Sequence, residues 1–199
     1  MKILNLYAGI GGNRKLWGEE HKITAIEIDP KIAKIYQDFF PNDKVIITDA
    51  HEFLLEHFKE FDFIWSSPPC PSHSRVRFIN QRQNKPIYPE MSLYQEILFL
   101  KHYFKGKWVV ENVKPYYEPL MEAQEIGRHL FWANFLIPKR EFPTEAHSSS
   151  IASKIAKRKG LDSNFKIKNK VKIIRNCVNP ELALHIFKCA FKDKQEVLI

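Results

Sequence analysis

Apolar and polar positions follow two periods along the first two thirds of the chain. Lys2-Ile-Leu-Asn-Leu-Tyr7 is a short, mostly apolar strand, Ala8-Gly-Ile-Gly-Gly12 is a glycine turn, and a helix-like run extends from Asn13 to about Glu20. Apolar runs return at 22–28, 44–48, 61–65 and 107–110, each bounded by prolines or turn residues, and each predicts a further strand. Between them the spacing turns helical: Ile32, Ile35, Tyr36 and Phe39 after Pro30, then 51–58, then Leu93, Ile97, Leu100 and Phe104 within 92–104. Alternating strand and helix predicts an α/β fold with a Rossmann-like doubly wound sheet.

Beyond Pro115 the pattern predicts a helix over 118–127, a strand over 128–135 and a closing helix over 182–191 that packs through Leu182, Ile186 and Cys189. Over 165–173 apolar residues alternate with Lys166, Lys168, Lys170 and Lys172, so a strand there would carry four lysines on one side. That side either follows a phosphate backbone or protects a sheet edge.

Ligands of doubly wound sheets bind at the carboxyl ends of the strands, and the chain puts chemistry there. Glu27 and Asp29 end the second strand roughly 20 residues after the glycine turn, where an acid can hydrogen-bond ribose hydroxyls. The fingerprint lacks its third glycine, since position 14 is Arg. Asp49 ends the third strand. Cys70 follows Pro68-Pro69, which stop the fourth strand, and Glu111 ends the fifth, so a thiol and a carboxyl converge on one crevice. The loop from Ser72 to Pro89 is polar and basic, with His73, Arg75, Arg77 and Arg82, and reads as a lid with donors for phosphate or a base.

Composition narrows the class. With 44% hydrophobic and 27% charged residues, 199 residues suit one soluble domain with a proper core. No apolar run reaches about 18 residues and the N-terminus enters a strand pattern directly, so a cytoplasmic location without membrane contact is the expectation. Three cysteines without Cys-x-x-Cys or paired histidines exclude a disulfide frame and a structural metal site. The net charge of +8 lies wholly within 139–175, where eleven Lys/Arg meet three Asp/Glu, and such a segment suits nucleic acid.

Taken together, these stretches resemble the DNA cytosine carbon-5 methyltransferases, in family order across most of the chain. Tyr7, Ala8, Gly9, Ile10, Gly11 and Gly12 look like the cofactor turn, Glu27-Ile28-Asp29 the ribose-binding acid, and Asp49 the residue that meets the adenine. Leu93 falls where a family leucine packs on the cofactor, and Asn176 and Val178 belong to a closing motif, Asn176-Cys-Val-Asn-Pro180, that returns to it. Pro69-Cys70 resembles the catalytic Pro-Cys, though Pro71 stands where Gln is usual; Glu111-Asn-Val113 resembles the Glu-Asn-Val motif. Gln124 and Arg128 fit a motif of Gln followed by two alternating arginines, with Ile126 in the first arginine's place.

The resemblance implies the class I S-adenosylmethionine-dependent fold, that cofactor, and double-stranded DNA containing a cytosine as partner. It implies that Cys70 adds to carbon 6 of a flipped-out cytosine, Glu111 donates to nitrogen 3 and Arg128 holds the base, with loop cations lowering the thiol's pKa. It divides the chain into a catalytic and cofactor domain at 1–137, a short basic recognition region at 138–174 and a returning segment at 175–199. So short a recognition region implies weak sequence specificity, or specificity supplied by a separate subunit. The same chemistry on RNA, and a remnant that binds without turnover, remain open alternatives.

Overall fold

In the computed structural model, which describes residues 1–74, 88–142 and 151–192, the apolar runs pair into one seven-stranded sheet of order β3-β2-β1-β4-β5-β7-β6. The strands are β1 (Lys2–Leu6), β2 (Lys22–Ile26), β3 (Lys44–Ile46), β4 (Phe63–Ser66), β5 (Lys107–Val113), β6 (Gln124–Ile126) and β7 (His129–Ala133). The α-helices are α1 (Pro30–Phe39), α2 (Ala50–His57), α3 (Ser92–Tyr103), α4 (Ala152–Arg158), α5 (Lys170–Asn176) and α6 (Pro180–Ala190). Strands β1 to β5 are parallel, while β7 runs antiparallel to both β5 and β6. This is the expected α/β architecture, with the strand order of the class I S-adenosylmethionine-dependent methyltransferases. Because the order reverses beside β1, the crevice at the carboxyl ends of β1 and β4 is the natural ligand site.

Strand alternation splits the core between the two faces of the sheet. Ile3, Phe63, Trp65 and Val109 face α6, whose Leu182, Ile186 and Cys189 are buried as expected, with Phe187 beside them. Leu4, Leu6, Ile64 and Val110 point the other way, onto Leu54 of α2 and Leu93, Ile97 and Leu100 of α3. Helix α6 begins where its cap dictates: the Asn179 side chain accepts from the amides of Glu181 (2.9 Å) and Leu182 (3.3 Å), and Pro180 fills the first position. Asn179→Ala is expected to cost about 1 kcal/mol, read as a lower urea midpoint with unchanged slope; an unmoved midpoint would remove the cap from the account.

Three expected elements form differently. The run from Asn13 to Glu20 yields a single 3-10 turn, Arg14–Leu16. Arg14 turns inward instead, bidentate to Asp43 at 2.9 and 3.1 Å, with the Tyr36 hydroxyl donating to the same carboxylate at 2.8 Å. Gly18, at φ 89, then ends any helical path. The helix expected over 118–127 is replaced by β6, because Gly127, at φ 60, opens a two-residue turn that pairs Ile126 with His129.

The strand expected over 165–173 is absent: Asn169 takes a left-handed φ of 61 and α5 starts at Lys170. The apolar residues of this segment have found a helical partner surface. Ile155, Ala156, Ile167, Val171 and Ile174 pack with Ile10 of the glycine turn and Ile35 of α1. Burying these side chains stabilises more than an isolated edge strand could.

Candidate active site

Parallel pairing brings the thiol and the carboxyl together. Strands β4 and β5 are in register up to Ser66 opposite Val110, so Glu111 is the next residue on one strand and Cys70 lies four beyond the end of the other. The loops they lead into are tied to each other. Asn112 donates its side-chain amide to the Pro68 carbonyl at 3.0 Å, the Tyr116 amide donates to the His73 carbonyl at 3.1 Å, and Ser74 bridges Pro115. Within the cysteine loop, the amides of His73 and Ser74 both donate to the Cys70 carbonyl at 3.0 Å. The thiol is therefore held by a closed turn at the carboxyl edge.

The Cys70 thiol lies within the field of the Glu111 carboxylate. Burial, and after it the Glu111 carboxylate, push the Cys70 thiol above its ordinary value; its backbone hydrogen bond, Arg128 and Lys172 pull the other way without prevailing. The loop cations expected to lower it lie outside the described residues. Desolvation of a thiolate outweighs two cations at the rim. Arg128 sits at the tip of the β6–β7 turn and donates to the Arg175 carbonyl at 3.4 Å, which joins that turn to the end of α5.

His129 carries no signal in the sequence. It is buried, with Nε2 3.7 Å from Glu111 Oε1, and burial, helped by Arg128 and Lys159, depresses its pKa to about 3. A neutral imidazole therefore stands beside Glu111, across the strand pair from Ile126.

On the other side of the crevice the glycine turn is bare backbone. A Cβ at Gly9, where φ is 56, would meet nothing within 4 Å, whereas one at Gly12 would come 2.7 Å from Cys177 Cβ. The closing segment therefore packs on the turn, with Val178 buried and Asn176 exposed beside it. Glu27 braces the turn: Oε2 accepts the Gly9 amide and Oε1 the Asp29 amide, both at 2.9 Å. Ile28 is exposed, Leu93 buried, and Asp49 caps α2 through the Glu52 amide at 2.9 Å.

Residues 1–118 of the chain match the C-5 cytosine-specific DNA methylases. The chain belongs to that family. It is 29% identical over 82 residues to a mouse (Mus musculus) tRNA (cytosine(38)-C(5))-methyltransferase, a match that covers 38% of this chain and 20% of that protein. Among solved structures it is similar to a Spodoptera frugiperda DNMT2 mutant (26% identity, TM-score 0.39, 57% of this chain and 35% of that one). It is also similar to a SAM-dependent methyltransferase from Agrobacterium tumefaciens (13% identity, TM-score 0.41, 59% and 40%).

As a C-5 cytosine methylase the chain has S-adenosylmethionine as its cofactor. The open space before Gly9 would admit the cofactor to bare backbone, and the carboxylates of Glu27 and Asp49 would be acceptors for its hydroxyls and amine.

The side chains expected on nucleic acid are distributed otherwise than the sequence implies. His73 is 1% exposed, its Nδ1 2.6 Å from the Tyr117 hydroxyl, and buried Ser72 accepts the Glu90 amide at 3.3 Å. Both side chains are spent on holding the cysteine loop. Gln124 clamps the chain after β7, donating to the Phe135 carbonyl (2.9 Å) and accepting from the Ile137 amide (2.6 Å). Lys170 folds back onto the Phe165 carbonyl (2.7 Å) and ring, Lys166 and Lys168 are exposed, and Lys172 alone of the four acts on Cys70. Arg75, Arg77 and Arg82 lie outside the described residues. Among the described residues no group could hold a metal ion, and no helix is long and apolar enough to cross a membrane.

Proposed function

We propose that this protein methylates carbon 5 of cytosine in DNA through a covalent adduct on Cys70. The observation that carries the reading is the delivery of Cys70 and Glu111 to one edge by adjacent parallel strands whose loops are cross-tied. Carbon 5 is a poor nucleophile until a thiolate adds to carbon 6 of the ring. Cys70 forms that bond, and Glu111 gives its proton to nitrogen 3, so the ring electrons collect at carbon 5 rather than as charge on nitrogen. S-adenosylmethionine, which the glycine turn, Glu27 and Asp49 would hold, supplies an electrophilic methyl group to carbon 5 and is left as S-adenosylhomocysteine. Transfer of the carbon 5 proton to solvent water then expels the Cys70 thiolate and returns the nitrogen 3 proton to Glu111. Arg128, at the turn tip, is suited to the base carbonyl.

The base must leave its helix to reach Cys70, at a cost of a few kcal/mol. Exposed Lys154, Lys157, Arg158, Lys166, Lys168 and Lys172 offer the phosphate contacts that would offset it. The hairpin of α4 and α5 that carries most of them is too small to read a long site, so specificity is short or is supplied by a separate subunit.

A second reading, the same reaction on tRNA, is favoured by the match to the mouse enzyme, of whose length this chain's match spans about one fifth. Labelled-methyl incorporation into cytosine-containing duplex DNA and into tRNA separates the two. Label in DNA with none in tRNA is expected. Label confined to tRNA moves the substrate to RNA, and label in neither, with intact cofactor binding, leaves a binding protein.

A further inference from the structure

One fully buried carboxylate has no part in this reaction. Glu96, in the middle of α3, has 0% exposure. Its Oε1 accepts the Tyr7 hydroxyl at 2.5 Å and faces His51 Nδ1 at 3.3 Å, while Oε2 accepts the Ser66 hydroxyl at 2.7 Å. All three partners border the crevice: Tyr7 follows β1, Ser66 ends β4 and His51 lies in the first turn of α2. Tyr7 is also held at φ 55, a left-handed conformation that is unfavourable for a residue with a side chain. A side-chain anchor is needed to keep it there.

We propose that Glu96 is a cofactor-positioning residue, which grips the Tyr7 hydroxyl so that the half-buried Tyr7 ring stands as a fixed wall of the adenosyl crevice. The inference rests on the crevice being the cofactor site. Tyr7 is placed for this role: Glu96 and Asp49, the acid at the end of β3, both act on its hydroxyl and with burial hold it protonated. An anchor made only to join α3 to the sheet would not need to pass through a ring at the crevice.

A buried carboxylate needs a compensating charge. Among the described residues, the charged groups acting on this cluster are Glu96 itself, Asp49 and Glu52 from the start of α2, and Glu90 ahead of α3, with His51 as the cation beside them. The hydrogen bond to Glu96 raises the His51 pKa against the opposing effect of burial. The pairing is therefore complete below about pH 6.5 and is lost as pH climbs through the higher folded value. Without it the His51 contact loses its charge assistance, and the grip of Glu96 on Tyr7 loosens.

The test is a double-mutant cycle on cofactor affinity. Dissociation constants for S-adenosylhomocysteine are measured by calorimetry for the parent, Tyr7→Phe, Glu96→Gln and the pair, with thermal melts as fold control. Each single change is expected to weaken binding roughly fivefold, and the pair no further than either, because Tyr7→Phe removes the donor and Glu96→Gln the charged acceptor of one contact. The parent's affinity should fall between about pH 6 and pH 8.5, and His51→Gln should flatten that slope. Additive losses, or single variants that bind as the parent does, would overturn the proposal. Should Glu96→Gln fail to fold, Tyr7→Phe and the pH slope still decide it. A parent that binds no S-adenosylhomocysteine at all would instead remove the cofactor reading beneath it.

Discussion

Cys70→Ala is expected to lower methyl transfer by at least about 10,000-fold, the scale on which enzymes lose a covalent nucleophile. No other change in the chain should act so strongly while sparing the fold. Cys70 is half-buried in a turn whose hydrogen bonds run through its own carbonyl, and it belongs to none of the apolar clusters, so removing the sulfur leaves those bonds intact. Thermal unfolding and S-adenosylhomocysteine binding should both be unchanged within error. DNA carrying 5-fluorocytosine supplies the direct readout, because fluorine at carbon 5 cannot leave as a proton and the thioether persists. The parent should form a denaturant-stable adduct and the alanine variant none. An adduct that survives in Cys70→Ala would shift the nucleophile to Cys177, the other half-buried thiol. The raised pKa of the thiol adds a sign: little of it is thiolate at neutral pH, so turnover should climb with pH until Cys70 ionises. Lys172→Met removes one of the two cations that oppose the rise and should move that limb to higher pH.

The parts of this site that the sequence shows plainly are those set by backbone position. A strand that ends in Pro68-Pro69 can only deliver position 70 to the sheet's edge, and the turn Gly9 to Gly12 can only be a close approach, so both are readable from residue type. Gln124, Ser72 and His73 are different. Their hydrogen-bonding capacity is visible in the sequence, but whether it is spent on the chain's own backbone or on a ligand depends on packing, and here the chain takes it.

The lysine run misleads for a related reason. Alternation over 165–173 is equally a set of apolar residues at helical spacing, Ile167, Val171 and Ile174, and contact with Ile10 and Ile35 decides between them. Glu96 was within reach: an acid three residues from Leu93 and next to Ile97, on the stripe of α3 that packs on the sheet, is a charge on a buried face. His129 was not, since only the antiparallel register of β5 and β7 brings it to Glu111.

Glu111→Gln should separate turnover from thiol reactivity, with opposite signs. An amide can still hydrogen-bond nitrogen 3 but cannot give it a proton, and loss of that stabilisation is expected to lower methyl transfer by about 10²- to 10³-fold. The same substitution removes the negative charge that helps hold the Cys70 pKa up, so iodoacetamide should label Cys70 at lower pH than in the parent. Site-resolved mass spectrometry follows the labelling. The two effects have one source. A thiolate and a carboxylate that repel each other share their protons, so the state in which Cys70 has lost one favours the state in which Glu111 has kept one, and that pair of charges is what addition to carbon 6 requires. Neutral His129 next to Glu111 preserves this balance, because a cation in its place would draw the proton off the carboxyl. If Glu111→Gln left the labelling profile of Cys70 where it was, the two groups would not be electrostatically coupled, and the reaction would need a different acid for nitrogen 3.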